Sequence, residues 1–339
     1  MMLLWSLLAV LILSLVMTAA LRRYAMARSV IDVPNARSSH TVPTPRGGGV
    51  AIVMSFLIAI VALIATGSEH IPTLVALGGG GALIAIIGFM DDHGHIAARW
   101  RLLGHFAAAA WILAWMGGLA PLSLFGWHLE LGWIGGVLAA VYLVWLLNLY
   151  NFMDGIDGIA SIEAITACLS GALLYWLSGL NGPAILPLLM AAAVGGFLFW
   201  NFPPAKIFMG DAGSGFIGIV LGGLSLQAAW VSPPMFWCWL ILLGVFIVDA
   251  TYTLIRRLLR GDKVYEAHRS HAYQFASREY GKHLPVTLAV AALNLCWLLP
   301  VAYCVAQLGL DGTLGVVIAY VPLVVLAVRY RAGDLEDRH

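Results

Sequence analysis

Charged side chains are scarce in this chain. Asp, Glu, Lys and Arg together make up 10% of its 339 residues, whereas 61% of the residues are hydrophobic. The mean hydropathy is +0.91. Soluble globular proteins carry about 25% charged residues, so the composition excludes that class. The chain is therefore predicted to be an integral membrane protein.

Cysteine is also scarce, and no CxxC pair occurs. All four cysteines lie inside apolar runs, so we expect them to fill apolar space rather than to form disulfides or to bind zinc. The first apolar run lacks a preceding basic segment and is followed by Arg22 and Arg23, which indicates a retained membrane helix and not a cleaved signal peptide. Because no internal repeat or linker composition is present, we predict one integral-membrane domain over residues 1–339.

The apolar residues are grouped in runs that are long enough to cross a membrane as helices. About 20 residues are needed to span a hydrocarbon core of roughly 30 Å. Eleven runs predict an all-α bundle with about 11 transmembrane helices: 3–21, 48–66, 71–90, 101–119, 131–150, 158–179, 183–200, 212–230, 235–254, 284–306 and 312–329. Their paired glycines are typical of close helix packing in lipid.

Positive charge falls on one side of this predicted bundle. If all eleven runs cross the membrane, the 18 Lys and Arg residues lie on that side or at helix ends that face it. The positive-inside rule then predicts an N-terminus outside and a cytoplasmic C-terminus. The cytoplasmic loops that would form the active site are 22–47, 91–100, 151–157, 201–211 and 255–283.

Five carboxylates lie on three of these loops: Asp91, Asp92, Asp154, Asp157 and Asp211. Two amides, Asn148 and Asn151, precede the central pair in the segment NLYNFMDGIDG. Carboxylates are costly near lipid and are usually kept for binding or catalysis, so a functional site is the default hypothesis. A turn at DGIDG and a solvated helix end at the first Asp pair are the simpler alternatives.

Carboxylates gathered in one place would repel one another without a cation. Asp and Asn oxygens suit Mg²⁺ or Mn²⁺ rather than zinc, and Mg²⁺ often binds one or two carboxylates together with a substrate phosphate. The last cytoplasmic loop adds side chains that suit a phosphate, namely His268, Arg269 and His271. A helical segment would place its two histidines one turn apart.

Other polar residues have two open interpretations. Asp249 lies inside the ninth run with Arg256 two turns later, so we expect an ion pair or a helix contact more than substrate binding. Glu163, near the cytoplasmic end of the sixth run, is a further candidate for a cavity shared with Asp249, but we do not include it in the predicted site. The roles of three more histidines stay open: His40, His93 and His95.

Several segments, in this order, resemble the signature segments of a known family. GFMDD, NLYNFMDGIDGIA, NFPPAKIFMGDAGSG and the histidine-containing HRSHAYQ are similar to those of the polyprenyl-phosphate N-acetylhexosamine-1-phosphate transferases. VPNARSSHTVPTPRGGG resembles that family's first cytoplasmic loop, so the resemblance extends over about residues 32–275. It implies an enzyme of the bacterial plasma membrane whose active site faces the cytoplasm.

The resemblance also implies a reaction. Undecaprenyl phosphate attacks the β-phosphate of a UDP-N-acetylhexosamine and gives undecaprenyl-diphospho-sugar and UMP, with Mg²⁺ as the expected cofactor. It implies that Asp211 is the principal metal ligand and that Asp91 and Asp92 lie near the lipid phosphate. The predicted site comprises catalytic residues Asp91, Asp92, Asp154, Asp157, His268 and His271, substrate-binding residues Asn148, Asn151, Asn201, Phe208 and Arg269, and metal ligands Asp211 and Asp154.

The pathway is less sharply defined than the reaction. HRSHAYQ resembles the branch that begins O-antigen synthesis, and the alternative in the family is the phospho-N-acetylmuramoyl-pentapeptide transferase of peptidoglycan synthesis. Outside the family, a secondary transporter would place its site near the bilayer midplane on broken helices with repeat symmetry, and a noncatalytic scaffold would need no acids. The expected partners are membrane lipids and not nucleic acid, and the resemblance leaves a homodimer open.

Overall fold

The computed structural model describes residues 1–34, 39, 42–67, 70–94, 96–263 and 268–335, so His40 and His95 lie outside the described residues. The chain folds mainly into helices: α1 (Met2–Ala27), α2 (Gly49–Ala65), α3 (Ile71–His93), α4 (Ala98–Met116), α5 (Gly132–Met153), α6 (Ile159–Leu177), α7 (Ile185–Asn201), α8 (Asp211–Val231), α9 (Pro233–Leu242), α10 (Gly244–Arg260), α11 (Ala272–Tyr280), α12 (His283–Leu293), α13 (Leu299–Gln307) and α14 (Gly312–Arg329). A π-helical segment, Asn294–Leu298, joins α12 to α13. Two antiparallel hairpins pair β1 (Ile31–Asp32) with β2 (Thr44–Pro45) and β3 (Leu122–Leu124) with β4 (Trp127–Leu129).

All of the predicted apolar runs are helical, but they differ in length and hydropathy. In the part of the chain that the structure describes, seven helices are long and apolar enough to cross a membrane, and an eighth span results if α9 and α10 are counted as one. Two other apolar helices, α2 and α7, have 17 residues each. The fold is therefore a polytopic helical membrane bundle. The eleven crossings and the orientation of the termini stay predictions.

The ninth predicted run is not one straight helix. Leu243 separates α9 from α10, and the two helices are bent by 68° relative to each other. The first backbone N–H groups of a helix have no partner within it, so this break exposes such donors inside the bundle at the start of α10. The apolar composition on both sides of the break gave no sign of it.

Helix α8 forms the centre of the bundle, because 18 of its 21 residues are buried. Small residues let its neighbours approach closely. Among the paired glycines, a Cβ added to Gly223 would lie 2.4 Å from Cδ2 of Leu77 on α3, whereas one added to Gly136 on α5 would meet no described atom within 4 Å. A Cβ added to Gly218 would lie 2.7 Å from Cα of Leu147 on α5, and one added to Gly88 on α3 would lie 2.6 Å from the backbone N of Ala212. These contacts bring the end of α3 beside the start of α8.

The loops that were predicted to be cytoplasmic meet at one end of the bundle. The N–H groups of Gly48 and Gly49 donate to the carbonyls of Phe208 and Met209 at 2.9 and 2.8 Å. The N–H of Gly158 donates to Asn201 Oδ1 at 3.1 Å. Three loops that are far apart in sequence are thus joined directly by hydrogen bonds.

Candidate active site

A polar cavity of about 300 Å³ lies where these loops meet. Six of the predicted site residues line it: Asn151, Asp154, Asp157, Asn201, Phe208 and Asp211. Six other polar residues in its lining were not predicted from the sequence: Asp32, Ser39, Arg46, Ser214, Gln274 and His283. Two of the three acidic loops, 151–157 and 201–211, therefore line one cavity, whereas no described residue of loop 91–100 is part of its lining.

Asp92 fixes the start of α8, which carries Asp211 into the cavity. The Asp92 side chain is 3% exposed, and it accepts hydrogen bonds from the backbone N–H groups of Asp211 at 3.1 Å and Ala212 at 3.3 Å. Arg46 donates to the same carboxylate, with Nε 3.0 Å from Oδ1. Free N–H groups and the helix dipole both favour an anion at this position. The contacts describe a positioning role, and the catalytic role of Asp92 stays a prediction.

Asp91 faces away from its neighbour, toward α4. Consecutive residues of an α-helix are separated by about 100° around the axis, so the two carboxylates cannot point the same way. The Asp91 carboxylate pairs with Arg101. It lines a second cavity of about 40 Å³, which also contains Asn148 and one side of Asp211. The two acids that were predicted as a pair thus lie on different sides of Asp211.

Asp154 and Asp211 are the carboxylates that line the main cavity from the ends of α5 and α8. The amide of Asn151 donates to Asp211 and, at 3.0 Å, to Ser214 Oγ. Burial, followed by the negative charges of Asp211, Asp157 and Asp92, raises the pKa of the Asp154 carboxyl well above its ordinary value. A cation held by Asp154 and Asp211 would offset this repulsion.

The donor set fits one mode of metal binding and not another. Among the residues that the structure describes, no group of three or more His, Cys, Asp or Glu side chains is placed to hold a metal ion. A closed zinc site needs about four protein ligands. Mg²⁺ commonly takes one or two carboxylates and completes its shell with water and substrate phosphates. Asp154 and Asp211 fit this second mode, and the metal itself stays a prediction.

Asp157 and Asn201 hold the loops around the cavity. Asp157 Oδ2 accepts the backbone N–H of Ala205 at 3.0 Å and lies 3.2 Å from His283 Nδ1. His283 Nε2 reaches the carbonyl of Ser39 at 3.1 Å. The side chain of Asn201 is buried and donates to the carbonyl of Ile207 at 3.0 Å. His283 therefore links two loops that form the cavity wall, a role that its position after a glycine-lysine pair did not suggest.

The predicted histidines lie outside the lining of the main cavity. Residues 268–271 are not helical, because α11 begins only at Ala272. His271 is buried and caps that helix, while His268 Nδ1 lies 2.8 Å from Ser270 Oγ. Burial, followed by the charges of His271 and Arg257, lowers the pKa of His268 to about 3. Instead, Gln274 of α11 reaches the cavity. The functions assigned to His268, Arg269 and His271 stay predictions.

Asp249 docks α11 against α10. It accepts hydrogen bonds from the N–H groups of Ala272 at 2.9 Å and Tyr273 at 3.0 Å, and its Oδ1 lies 3.3 Å from His271 Nδ1. Arg256 pairs instead with Asp334 at 2.6 Å. The expected helix contact of Asp249 is confirmed, and an ion pair with Arg256 is not formed. Glu163 lies inside the bundle and does not line the cavity.

An apolar groove of about 640 Å³ lies on the other side of α11. Its walls come from α10, α11, α12, the π-helical segment and α14, with Val290, Leu293 and Leu323 among the lining residues. Tyr273 lines this groove, whereas the next residue, Gln274, lines the polar cavity. Two consecutive residues of α11 therefore line two different cavities, one polar and acidic and the other apolar.

Comparison with known proteins places these features in context. Residues 74–229 match the family model of glycosyl transferase family 4. A protein of Bacillus subtilis (strain 168) described as a probable undecaprenyl-phosphate N-acetylglucosaminyl 1-phosphate transferase is 31% identical over 265 residues, which cover 76% of this chain and 73% of that protein.

Two other relatives differ in the names that they carry. A phospho-N-acetylmuramoyl-pentapeptide-transferase of Shouchella clausii (strain KSM-K16) is 28% identical over 277 residues, covering 74% of this chain and 82% of that protein. A decaprenyl-phosphate N-acetylglucosaminephosphotransferase of Mycolicibacterium smegmatis (strain ATCC 700084 / mc(2)155) is 30% identical over 240 residues, covering 62% of this chain and 56% of that protein.

Proposed function

Because the chain belongs to glycosyl transferase family 4 and to its polyprenyl-phosphate N-acetylhexosamine-1-phosphate transferases, we propose that it transfers an N-acetylhexosamine 1-phosphate from a UDP-sugar to undecaprenyl phosphate. A lipid phosphate oxygen forms a bond to the β-phosphorus of the donor. The bond from that phosphorus to the oxygen bridging to the α-phosphate breaks, and UMP leaves. The product is undecaprenyl-diphospho-sugar.

The observation that carries this proposal is the placement of Asp154 and Asp211 in a polar cavity beside an apolar groove. Phosphoryl transfer requires charge neutralisation and in-line positioning more than covalent help from the protein. Mg²⁺ bound by these two carboxylates would neutralise part of the diphosphate charge. Arg46 supplies a fixed positive charge in the same cavity, and Asp92 holds the helix that presents Asp211.

The lipid phosphate needs little activation. The second pKa of a phosphate monoester is about 6, so its oxygens are mostly ionised near neutral pH. A general base is helpful at most, which agrees with an Asp92 carboxylate that is already engaged by Arg46 and by two backbone N–H groups. We assign Asp91 to the side of Asp211 that lies next to Arg101 and away from the donor.

We place the isoprenoid chain in the apolar groove and the nucleoside beside Phe208. The groove adjoins the polar cavity across Tyr273 and Gln274, so a lipid lying in it could present its phosphate to the acidic site. Phe208 lines both the polar cavity and a neighbouring cavity of about 470 Å³ that contains Lys282. An aromatic face at this junction suits the stacking of a uracil ring.

We also propose the cellular setting. Eleven crossings would place the acidic end of the bundle in the cytoplasm of a bacterial cell, with an external N-terminus, where the 18 Lys and Arg residues satisfy the positive-inside rule. The product would begin O-antigen or a related envelope polysaccharide. Transfer of phospho-N-acetylmuramoyl-pentapeptide is the second candidate, because a relative of that name matches 74% of this chain.

The test is UMP release by the purified protein. It is incubated with undecaprenyl phosphate, Mg²⁺ and, in turn, UDP-N-acetylglucosamine, UDP-N-acetylgalactosamine, UDP-N-acetylfucosamine and UDP-N-acetylmuramoyl-pentapeptide. We expect UMP only when both lipid and metal are present, with one UDP-N-acetylhexosamine preferred over the pentapeptide donor. No UMP from any donor would reject the transferase function, and UMP from the pentapeptide donor alone would select the second candidate.

A further inference from the structure

A carboxyl group that the proposed reaction does not use lies deep inside the bundle. Glu163 on α6 and Asn294, the first residue of the π-helical segment, are both 0% exposed. Asn294 Nδ2 donates to Glu163 Oε2 and to Thr166 Oγ1, each at 2.7 Å. The two remaining oxygens, Glu163 Oε1 and Asn294 Oδ1, accept no hydrogen bond from any residue that the structure describes.

The surroundings of Glu163 offer no counter-charge. Two ionisable side chains face it, Tyr150 from α5 and Tyr320 from α14. Their hydroxyls are directed elsewhere and donate to the backbone carbonyls of Ala160 and Leu240, each at 2.7 Å. No described Lys, Arg or His is placed to balance a charge on Glu163, and its polar neighbours, Asn294 and the backbone of Phe246 in the first turn of α10, are neutral. An isolated carboxylate buried in this way costs far more free energy than a neutral acid.

A single proton on Glu163 would give both unpartnered oxygens a hydrogen-bond partner. We propose that Glu163 is kept as a neutral carboxylic acid, and that its Oε1–H donates to Asn294 Oδ1 while Asn294 Nδ2–H donates to Oε2. The two side chains then form a cyclic acid–amide pair in which each contributes one donor and one acceptor. Buried polar groups are normally fully hydrogen-bonded, and this arrangement meets that requirement without an ion.

The acid–amide pair ties a wall of the apolar groove to the centre of the bundle. Asn294 lies between Leu293 and Cys296, which both line the groove, whereas Glu163 belongs to α6. Glu163 is therefore a positioning residue for the wall formed by α12 and the π-helical segment. This consequence rests on the proposed function, because it gives the groove a lipid substrate. The proposed protonation of Glu163 is independent of that function.

Infrared difference spectroscopy of the full-length protein in detergent tests the protonation directly. The spectrum of Glu163→Gln is subtracted from that of the unsubstituted protein at pH 6 and at pH 7. We expect the substitution to remove a carboxylic-acid C=O band at both pH values. The matched control is Glu279→Gln, because the Glu279 side chain is 49% exposed and pairs with Arg329; it should remove carboxylate bands instead. Loss of carboxylate bands in Glu163→Gln would overturn the proposal.

Stability and kinetics separate the acid–amide pair from simple space filling. Gln carries one donor and one acceptor and can form the same cyclic arrangement, so Glu163→Gln should keep the melting temperature. Glu163→Leu leaves both polar ends of Asn294 uncompensated on this side and should lower it. The KM for undecaprenyl phosphate should rise in Glu163→Leu, with the KM for the UDP-sugar unchanged. An equal loss of melting temperature in both variants would contradict the pairing, whereas an inactive protein with the expected infrared result would reject only the transferase function.

Discussion

Replacing Asp92 by Asn removes one negative charge from a place where three donors meet. The carboxylate is 3% exposed and balances Arg46, whose side chain is 34% exposed. Asn keeps an oxygen that can accept the N–H groups of Asp211 and Ala212, but its NH₂ group cannot pair with a guanidinium. A hydrogen bond to a charged group contributes about 1.5–3 kcal/mol, and breaking a fully buried ion pair costs about 3–5 kcal/mol.

Because water can still reach part of the Arg46 side chain, the expected loss of stability lies at or below the lower end of the range for a fully buried ion pair. We expect Asp92→Asn to lower the free energy of unfolding by about 2–3 kcal/mol. If the loss is expressed as a displaced start of α8, kcat should fall by about 30- to 140-fold, since each 1.4 kcal/mol corresponds to a factor of ten. Arg46→Gln should reproduce most of both effects.

A double-mutant cycle measures whether the two residues act together. Melting temperature, unfolding free energy and kcat are compared for Asp92→Asn, Arg46→Gln and the double variant, and we expect a coupling energy of about 2 kcal/mol. The exposed pair Arg329 and Glu279 is the control, with an expected coupling below about 1 kcal/mol. A near-zero coupling, or a fully active Arg46→Gln beside an inactive and equally stable Asp92→Asn, would refute the positioning role and indicate direct chemistry by Asp92.

Three further substitutions test the other parts of the site. Asp211→Asn should abolish Mg²⁺-dependent transfer while the melting temperature changes little, and wild-type turnover would remove Asp211 from the metal site. Val290→Trp should fill the apolar groove and raise the KM for undecaprenyl phosphate by at least tenfold. The control Val317→Trp changes a position that is 49% exposed and should leave this KM unchanged. An equal KM in both variants would show that the lipid lies elsewhere. The unfolded chain takes up a proton at His268 near pH 6.5, and the folded chain does so only near pH 3, so the free energy of unfolding should fall as the pH falls through this interval. His268→Asn should therefore make the melting temperature depend less on pH. An equal pH dependence of the melting temperature in the two proteins would contradict the low pKa of His268.

Much of the fold follows from the sequence because hydropathy is a property of long segments. Every predicted run contains a helix, and the glycines of α3 and α8 mark close contacts. The break at Leu243 was not predicted, because a glycine inside an apolar run is compatible with a continuous membrane helix. The difference between eleven predicted crossings and the seven or eight candidate spans among the described residues comes from α2, α4 and α7, which are shorter or less apolar than those spans.

The candidate site was predicted in its loops but not in its orientations. Asp154, Asp157 and Asp211 reach one cavity because their loops join helices that pack together. Asp91 and Asp92 separate because the end of α3 fixes the direction of each side chain, and sequence spacing does not reveal which of them faces α8. His283 and Gln274 resemble ordinary polar residues at helix starts, so only the tertiary contacts identify them.

The proposed reaction differs from ordinary glycosyl transfer in the fate of one phosphate. A UDP-N-acetylhexosamine that is radiolabelled in its β-phosphate is incubated with purified protein, undecaprenyl phosphate and Mg²⁺, and the label is followed in the lipid and aqueous phases. We predict that the label enters the lipid phase in step with the release of unlabelled UMP, and that Asp211→Asn prevents this. Label that stays in the aqueous phase as UDP, while unlabelled sugar enters the lipid, would contradict transfer of the sugar phosphate.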